Sequence, residues 1–383
     1  MKNQCFIHKN KPQILVKENL NLFYFGKKKI SFGICRNCGL IFQTESVKKS
    51  EMIKSYKNMV LYVDNLSKPS KNKLKTIKRH MLMIKNEVVN FPKKVLEVSS
   101  MNSYTLNKFK KNGSNQIASV EPSIRIAKLF SKEGIKTYNT TIEKLKTKIK
   151  YDLIIMSHVL EHLYNPLLAI KKCYNIQKIG QKILIEVPLF EKVENYAVGA
   201  LQIEHLHYFS EKNIIEVITR GGYRIDKVNK IFKNIEAPVI TIIATKIKSK
   251  NFKKANDYKN QMYNFKKYES QSIRNWKVIK NNMCKIDKKK PLYFYGAGWF
   301  ASQLLYYTDT LKNFNNFKGF IDSSKNKQNK KILNFKIFPP NFNKIENNSQ
   351  IVISSISTQK SIYKFVLKNK LSSQKIIKLF KGY

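Results

Sequence analysis

An alternation of strand-like and helix-like segments between residues 67 and 187 constrains the fold of this chain most. Four short apolar runs have the character of buried strands, and longer segments with helical spacing separate them. This alternation predicts a parallel sheet with right-handed crossovers, a fold that binds ligands beyond the carboxyl ends of its strands. The predicted strands are 95–98, 117–120, 151–156 and 183–187, and the predicted helices are 67–89, 104–111, 123–133 and 163–176.

Two pairs of metal-binding residues lie within the first 40 positions. Cys5 and His8 form C-x-x-H, Cys35 and Cys38 form C-x-x-C, and 26 residues separate the pairs. Sulfur and imidazole donors at this spacing suit tetrahedral zinc, and Gly39 permits the tight turn that a zinc knuckle needs. We therefore expect a structural zinc site, with chance clustering as the alternative. The strand-like runs of this small ribbon are 13–16 and 22–25.

The last third of the chain repeats the strand–turn–helix pattern. The lysine-rich stretch 246–290 predicts connecting helices, and a strand at 292–295 follows it. The Gly-Ala-Gly turn at 296–298 then opens a helix at 299–307, and Asp322 ends the next strand. This is the bare outline of a dinucleotide fingerprint. Two interpretations are open. This part of the chain is either a separate NAD-dependent unit or a non-redox Rossmann-like domain that holds a pyrophosphate.

The chain is strongly basic, with 73 basic and 25 acidic residues and a formal net charge of +48. Only six of the basic residues are arginine, whereas proteins that read nucleic acid favour the bidentate Arg fork. The many Asn and Ile residues match an A+T-rich coding composition. The charge therefore favours a compositional origin, and nucleic acid is not the expected partner. With 42% hydrophobic residues, the composition excludes a collagenous or disordered chain.

The sequence shows no targeting or membrane segment. The N-terminus has no apolar core of signal-peptide length, and no stretch approaches the length of a membrane helix. Five cysteines are too few, and odd in number, for a disulfide framework. We expect a cytoplasmic protein without membrane insertion. The oligomeric state does not follow from the sequence.

Several strings in the middle of the chain resemble one family. Residues 151–163, YDLIIMSHVLEHL, resemble the fourth motif of class I S-adenosylmethionine-dependent methyltransferases, and 95–97, 120–123 and 204–210 extend the resemblance. With the zinc pairs in front, the whole chain resembles the zinc-containing sugar C-methyltransferases of deoxysugar biosynthesis. The resemblance implies an α/β fold in which a Rossmann-like class I methyltransferase domain lies between a small N-terminal zinc module and a second, C-terminal Rossmann-like domain. The implied divisions are 1–58 for the zinc-binding module, 59–250 for the methyltransferase-like domain, 251–290 for a helical connector and 291–383 for the C-terminal domain.

The resemblance also implies a site for S-adenosylmethionine. Glu97 would lie on the cofactor-binding strand, and Glu121 would accept hydrogen bonds from both ribose hydroxyls, since a carboxylate offers two oxygens to a vicinal diol. Ser157 and His158 would border the cofactor. An exposed loop acid is the alternative interpretation of Glu121.

The loop after the first strand departs from the family. Family members carry glycines where this chain has Ser99, Met101 and Ser103. Glycine permits the tight turn and the close approach of backbone to cofactor. Either the loop still admits the cofactor, or the chain has kept the fold and lost methyl transfer.

The implied catalytic acid–base set is Glu204, His205 and His207. Methylation of carbon requires removal of a proton α to a carbonyl, or stabilisation of the enolate. A histidine suits that role, and a carboxylate can fix its tautomer. The resemblance implies that His205 is the base. Core histidines at the edge of the sheet are the alternative.

These observations predict an enzyme that transfers a methyl group from S-adenosylmethionine to carbon of a nucleotide-linked keto-sugar, or of a related surface-glycan precursor. Its cofactors would be S-adenosylmethionine and structural zinc, and its partner the nucleotide sugar. A catalytically silent relative that binds a nucleotide sugar or a partner enzyme is the alternative. Polyanion binding through the lysine-rich surface is a weaker alternative.

Overall fold

Three β-sheets organise the part of the chain that the computed structural model describes. The described residues are 4–22, 26–45, 47–48, 50–52, 69, 71–100, 102–195, 198–232, 237–248, 252, 254–341, 345–356, 358–369 and 376–380. Of the helices in these ranges, none combines the length and the apolar character needed to cross a membrane.

The secondary structure alternates strands and helices through most of the chain. In chain order the strands are β1 Gln13–Leu22, β2 Gly26–Ile34, β3 Ile41–Glu45, β4 Lys94–Val98, β5 Gln116–Val120, β6 Lys136–Tyr138, β7 Leu153–Ser157, β8 Lys182–Pro188, β9 His207–Tyr208, β10 Tyr223–Ile231, β11 Val239–Lys246, β12 Leu292–Tyr295, β13 Phe317–Ile321, β14 Lys331–Ile332, β15 Phe335–Phe338, β16 Gln350–Ile353 and β17 Ile376–Ile377. The helices are α1 Lys71–Glu87, α2 Tyr104–Lys111, α3 Ile124–Lys132, α4 Pro166–Asn175, α5 Glu211–Arg220, α6 Tyr258–Met283, α7 Trp299–Tyr307, α8 Thr310–Asn313 and α9 Gln359–Lys368.

The central sheet has seven strands in the order β6-β5-β4-β7-β8-β11-β10. The first five are parallel, and β11 runs antiparallel to both β8 and β10. The parallel strands thus follow the order 3-2-1-4-5 of doubly wound folds, in which the strand order reverses between β4 and β7. The predicted α/β fold with a parallel sheet is confirmed, and its switch point lies beside the ends of β4 and β7.

Both faces of the central sheet are covered, because alternate residues of each strand point to opposite sides. Along β7, Leu153 and Ile155 join the cluster that includes residues of α1, α2 and α3. Ile154 and Met156 join the cluster that includes residues of α4 and α5. This explains why β7 is a continuous apolar run rather than an alternating one.

The predicted helix at 163–176 begins later than expected, at Pro166. Proline lacks an N–H group and has a helical φ, so it favours the first position of a helix. The Asn165 side chain caps this end by accepting from the Leu168 backbone N–H at 3.1 Å. The segment before it forms a single short helical turn, Leu160–His162.

The N-terminal sheet is antiparallel, in the order β1-β2-β3-β9. Its last strand, His207–Tyr208, comes from the predicted methyltransferase-like domain and pairs with β3. The predicted run at 13–16 lies within β1. Of the predicted run at 22–25, residue 22 ends β1, and residues 23–25 lie outside the described residues. The predicted boundary at residue 58 also lies outside them.

The third sheet has the order β14-β15-β13-β12-β16-β17 and is parallel except for the β14–β15 pair. α6 occupies most of the predicted connector, and α7 follows β12 as the Gly-Ala-Gly turn predicts. Apolar clusters lie on both faces of this sheet.

Candidate active site and metal centre

The loop after β4 keeps a glycine-like turn without a glycine. Ser99 has a φ of +52°, in the left-handed region, and its N–H donates to the Val120 carbonyl at 2.8 Å. An L-residue in this conformation costs about 1–2 kcal/mol. Ser103 has a φ of −80°, so glycine is not required there, and its hydroxyl donates to the Glu133 carboxylate. Met101 lies outside the described residues.

Glu97 is buried in β4, directly before this turn. Burial raises the pKa of the Glu97 carboxyl, and one of its oxygens has no hydrogen-bond partner among the described residues. The side chain therefore lies under the loop rather than in solvent.

Glu121 directly follows β5 and is 4% exposed, so its interpretation as an exposed loop acid is wrong. Its Oε1 accepts from the Ser123 backbone N–H at 2.8 Å, and its carbonyl accepts from the Asn139 amide at 2.8 Å. Burial raises the pKa of the Glu121 carboxyl to about 7. A buried carboxylate at this strand end can accept hydrogen bonds from a diol.

His158 follows β7 between two buried carboxylates. Its Nδ1 lies 3.3 Å from Glu161 Oε1, and its Nε2 lies 3.6 Å from Glu186 Oε1. Burial lowers the pKa of His158, but the two carboxylates outweigh it and raise the pKa to about 9. The imidazole is half-exposed, and its φ is +56°. Strained backbone of this kind concentrates at functional sites.

Glu186 on β8 is a buried anchor that the sequence analysis missed. Its Oε2 accepts from Arg79, from His80 Nε2 at 2.9 Å and from the Thr241 hydroxyl at 2.6 Å, and its Oε1 accepts from the Ser157 hydroxyl at 3.3 Å. Although burial alone would raise the pKa of Glu186, the neighbouring imidazoles hold it far below its usual range. The sequence feature that could have indicated Glu186 is an acidic residue within an apolar strand.

Glu161, His162 and His205 form a second polar cluster, with one ligand atom of each within 4.8 Å of the others. The His162 and His205 rings meet edge to face, with centroids 4.8 Å apart. His162 Nδ1 lies 3.0 Å from the Glu204 carbonyl oxygen. Burial lowers the pKa of His205 to about 3, so its imidazole is neutral. The structure thus places the predicted base beside two groups that the sequence analysis did not select.

His207 does not join this cluster. It is buried in β9, where its Nε2 lies 3.0 Å from the Leu163 carbonyl oxygen and its ring meets Phe6 edge to face, with centroids 4.9 Å apart. This placement agrees with the core-histidine alternative for His207. Glu204 comes close to the cluster through its carbonyl group.

Gln43 on β3 holds the segment that carries His205. Its side-chain nitrogen lies 2.9 Å from the Gln202 carbonyl, 3.0 Å from that of Ile203 and 2.9 Å from that of His205. Gln43 is fully buried. The N-terminal sheet therefore positions the candidate active-site loop.

The four predicted zinc ligands come together. Cys5 Sγ lies 3.9 Å from Cys38 Sγ, Cys35 Sγ lies 3.9 Å from His8 Nδ1, and all four donor atoms are within 4.8 Å of one another. The Cys35 sulfur and burial raise the pKa of the Cys5 thiol to about 12, so a cation is needed to keep all the sulfurs ionised. Gly39 has a φ of +77°. This donor set fits zinc.

A carboxylate supports this centre from outside, which the sequence analysis did not predict. Glu216 on α5 is fully buried, and its Oε1 lies 3.3 Å from His8 Nε2. The same oxygen accepts from Arg220 Nε at 2.7 Å, and Oε2 accepts from the Ala255 N–H at 2.9 Å. A carboxylate on the second nitrogen of a ligating histidine fixes its tautomer and orientation.

In the C-terminal sheet, Asp322 is engaged by the protein itself. Its carboxylate accepts from the Ala297 N–H at 2.8 Å, from the Ser324 N–H at 2.9 Å and from Lys327 Nζ at 3.2 Å. The acid therefore holds the Gly-Ala-Gly loop. This arrangement favours the non-redox alternative, because the carboxylate is not directed at a ribose.

Comparison with known proteins gives a family match for the central part of the chain. Residues 71–228, from α1 into β10, match a family model described as a methyltransferase domain. No curated protein matches the chain significantly.

Similar solved structures include an N-methyltransferase of Bradyrhizobium japonicum in complex with S-adenosylhomocysteine, with 12% identity, 51% of this chain and 98% of that chain covered, and a TM-score of 0.41. The Burkholderia thailandensis 1,6-didemethyltoxoflavin-N1-methyltransferase has 10% identity, coverage of 57% and 95%, and a TM-score of 0.43. A possible histamine N-methyltransferase of Thermotoga maritima has 18% identity, coverage of 51% and 97%, and a TM-score of 0.35. The family match alone supports a methyltransferase fold for residues 71–228.

Proposed function

We propose that this chain transfers a methyl group from S-adenosylmethionine to carbon of a nucleotide-linked keto-sugar, or of a related surface-glycan precursor. The proposal rests on the buried Glu121 carboxylate, which lies directly after β5 within the residues that match the methyltransferase model. An S-adenosylhomocysteine complex of the B. japonicum relative supports the same cofactor here.

On the cofactor side, Glu121 accepts hydrogen bonds from the two ribose hydroxyls, and the turn at Ser99 brings the backbone close to the cofactor. Ser157 and His158 border it at the end of β7. The Glu186 carboxylate supports this border through its hydrogen bond with the Ser157 hydroxyl.

On the substrate side, His205 takes the proton from the carbon next to the sugar carbonyl. The resulting enolate carbon attacks the methyl group, the S–CH₃ bond breaks, and its electron pair stays on sulfur as S-adenosylhomocysteine forms. The partly exposed His205 imidazole is neutral and can accept the proton, and the Glu161 carboxylate stabilises the imidazolium that forms. Water then receives the proton.

A cleft of about 520 Å³ between β1, α6 and α7 supports binding of the sugar nucleotide. The aromatic side chains of Tyr268 and Trp276 line it, together with Glu18 and Lys277. Leu201, in the segment before His205, also lines it. The charged groups suit the hydroxyls and the pyrophosphate of a sugar nucleotide.

The Cys5, His8, Cys35 and Cys38 centre binds a structural zinc ion in this proposal. Zinc supplies no chemistry to the reaction, but it holds the N-terminal sheet from which Gln43 reaches the His205 segment.

A silent relative that binds a nucleotide sugar is the second candidate. The missing glycine at Ser99 favours it, because this turn retains a Cβ where the cofactor approaches.

Calorimetric titration with S-adenosylhomocysteine separates the two candidates. We expect saturable binding by the wild type and binding about 10- to 100-fold weaker in Glu121→Gln, since a charged hydrogen-bond partner is lost. Glu87→Gln, at the end of α1 that leads to the amino end of β4, is the matched control. No heat at millimolar ligand would favour the silent relative. For the substrate, transfer of a labelled methyl group to a panel of nucleotide-linked keto-sugars gives the direct assay.

A further inference from the structure

The cluster of Glu161, His162 and His205 has the composition of a metal site. We propose that these three side chains bind a divalent transition-metal ion, at a site separate from the Cys/His centre. Two imidazoles and one carboxylate are the donor set of several catalytic zinc sites and of non-haem iron sites. Their ligand atoms already lie within 4.8 Å of one another.

The hydrogen bond of His162 gives an independent argument for a cation. Its Nδ1 lies 3.0 Å from the Glu204 carbonyl oxygen, which can only accept, so Nδ1 carries the proton. Nε2 is then the ring nitrogen that is available to a metal ion, and it lies 3.9 Å from Glu161 Oε1. A backbone carbonyl on the other ring nitrogen is also the usual support of a ligating histidine.

The Glu161 carboxylate points to the same conclusion. Its side chain is 1% exposed, and its Oε1 is paired with His158 Nδ1 at 3.3 Å, whereas Oε2 has no hydrogen-bond partner among the described residues. A buried carboxylate is costly unless it is paired, hydrogen-bonded or bound to a metal. Metal binding satisfies Oε2, for which no close partner is found in the described part of the chain.

The site has a consequence that rests on the proposed function. A lone pair that binds a metal ion cannot accept a proton, so an ion on His205 excludes this residue from acting as the base. Occupancy of the cluster therefore inhibits methyl transfer, and removal of the ion restores it.

Cobalt titration of the metal-depleted full chain tests the site without any substrate. We expect two equivalents of Co²⁺ to bind. The equivalent at the Cys/His centre gives sulfur-to-cobalt charge-transfer absorption, and the other gives only weak visible bands, because its ligands contain no sulfur. Cys38→Ser should weaken the charge-transfer absorption, because one of the three sulfur ligands is lost.

Two substitutions test whether these side chains bind the second equivalent of Co²⁺, and a third substitution is their control. Glu161→Gln and His205→Gln should each weaken it by about tenfold or more, as loss of a ligand requires. Glu211→Gln, the same change as at Glu161 but on α5 outside the cluster, should leave it unchanged. In each variant, the equivalent of Co²⁺ that gives charge-transfer absorption shows that the N-terminal fold is intact. His205 is partly exposed, so His205→Gln still tests the site if substitution of the buried Glu161 prevents folding.

One equivalent of Co²⁺ in the wild type would overturn the proposal, as would a second equivalent that survives both variants. Titration with S-adenosylhomocysteine on the same samples distinguishes the two proposals. Retained cofactor binding without the second metal ion rejects the metal site alone, whereas metal binding without cofactor binding rejects the proposed function alone.

Discussion

The side-chain nitrogen of Gln43 lies 2.9 Å from the carbonyl oxygen of His205, and thereby joins the N-terminal sheet to the candidate active site. The same nitrogen reaches the carbonyls of Gln202 and Ile203. One buried amide thus holds three carbonyl groups of the loop that carries the proposed base. The N-terminal sheet is in this sense part of the active site, although none of its side chains is proposed to take part in the reaction.

Gln43→Met removes this amide at nearly constant volume. The three carbonyl groups lose a common donor, so we expect the free energy of unfolding to fall by about 1–3 kcal/mol in chemical denaturation. Turnover should fall while the affinity for S-adenosylhomocysteine is retained, because the loop faces the substrate. Gln202→Met, the same change at a half-buried residue of that loop, is the control. Equal effects of the two changes would contradict a special role for Gln43.

The zinc prediction concerns Glu216 as well as the four ligands. Cys35→Ala should remove about one zinc ion per chain and make the N-terminal region protease-sensitive, since metal binding and folding are coupled there. Glu216→Gln should weaken zinc binding by about 10- to 100-fold through loss of the support for His8. Glu211→Gln, on the same helix, is the control. Elemental analysis that finds no zinc in the wild type would reject the centre.

The pH dependence of cofactor binding follows from Glu121. Burial raises the pKa of its carboxyl to about 7, from 4.5 in the unfolded chain. Its contribution to stability is therefore complete below pH 4.5 and is lost as the pH rises through 7. Because the ribose diol donates to the ionised form, S-adenosylhomocysteine affinity should increase over the same range.

Glu121→Gln is the matched test of this pH effect. It should abolish most of the pH dependence of binding, and the unliganded variant should be more stable than the wild type at pH 8. Titration calorimetry and thermal unfolding at pH 6, 7 and 8 measure both quantities. A wild-type affinity that is constant across these pH values would show that Glu121 does not contact the ligand.

Local sequence patterns were sufficient for the main elements of the parallel sheet and for the grouping of Cys5, His8, Cys35 and Cys38. The strands of the parallel sheet are apolar runs, and Cys35 and Cys38 are close in sequence, so short-range spacing carries the information. The strand ends then place Glu121 and His158 at one edge of the sheet, because parallel strands present their carboxyl ends together.

The supporting residues were not predictable in this way, since each acts on a distant part of the chain. Gln43 reaches the loop at 202–205, Glu216 reaches His8, and Glu186 gathers groups from α1, β7 and β11. Only the packing of the fold brings these pairs together. The sequence pattern around His205 also suggested a catalytic role for His207. In the structure β9 begins at His207, and the side chain of His207 is buried in the core.

The turn at Ser99 allows a test of whether the lost glycine still matters. Its φ of +52° is unfavourable for any residue with a Cβ, so Ser99→Gly should raise the free energy of unfolding by up to about 1 kcal/mol. Affinity for S-adenosylhomocysteine should stay the same or increase, since a Cβ is removed where the cofactor approaches.

Ser103→Gly is the control for that gain. Its φ of −80° is ordinary, and its hydroxyl donates to the Glu133 carboxylate. We therefore expect a loss of stability at residue 103 and a gain at residue 99, both measured by chemical denaturation. If Ser99→Gly instead destabilises the chain, the serine side chain makes a contact that outweighs the backbone cost. If it creates cofactor binding that the wild type lacks, steric blockage at this turn has silenced the site.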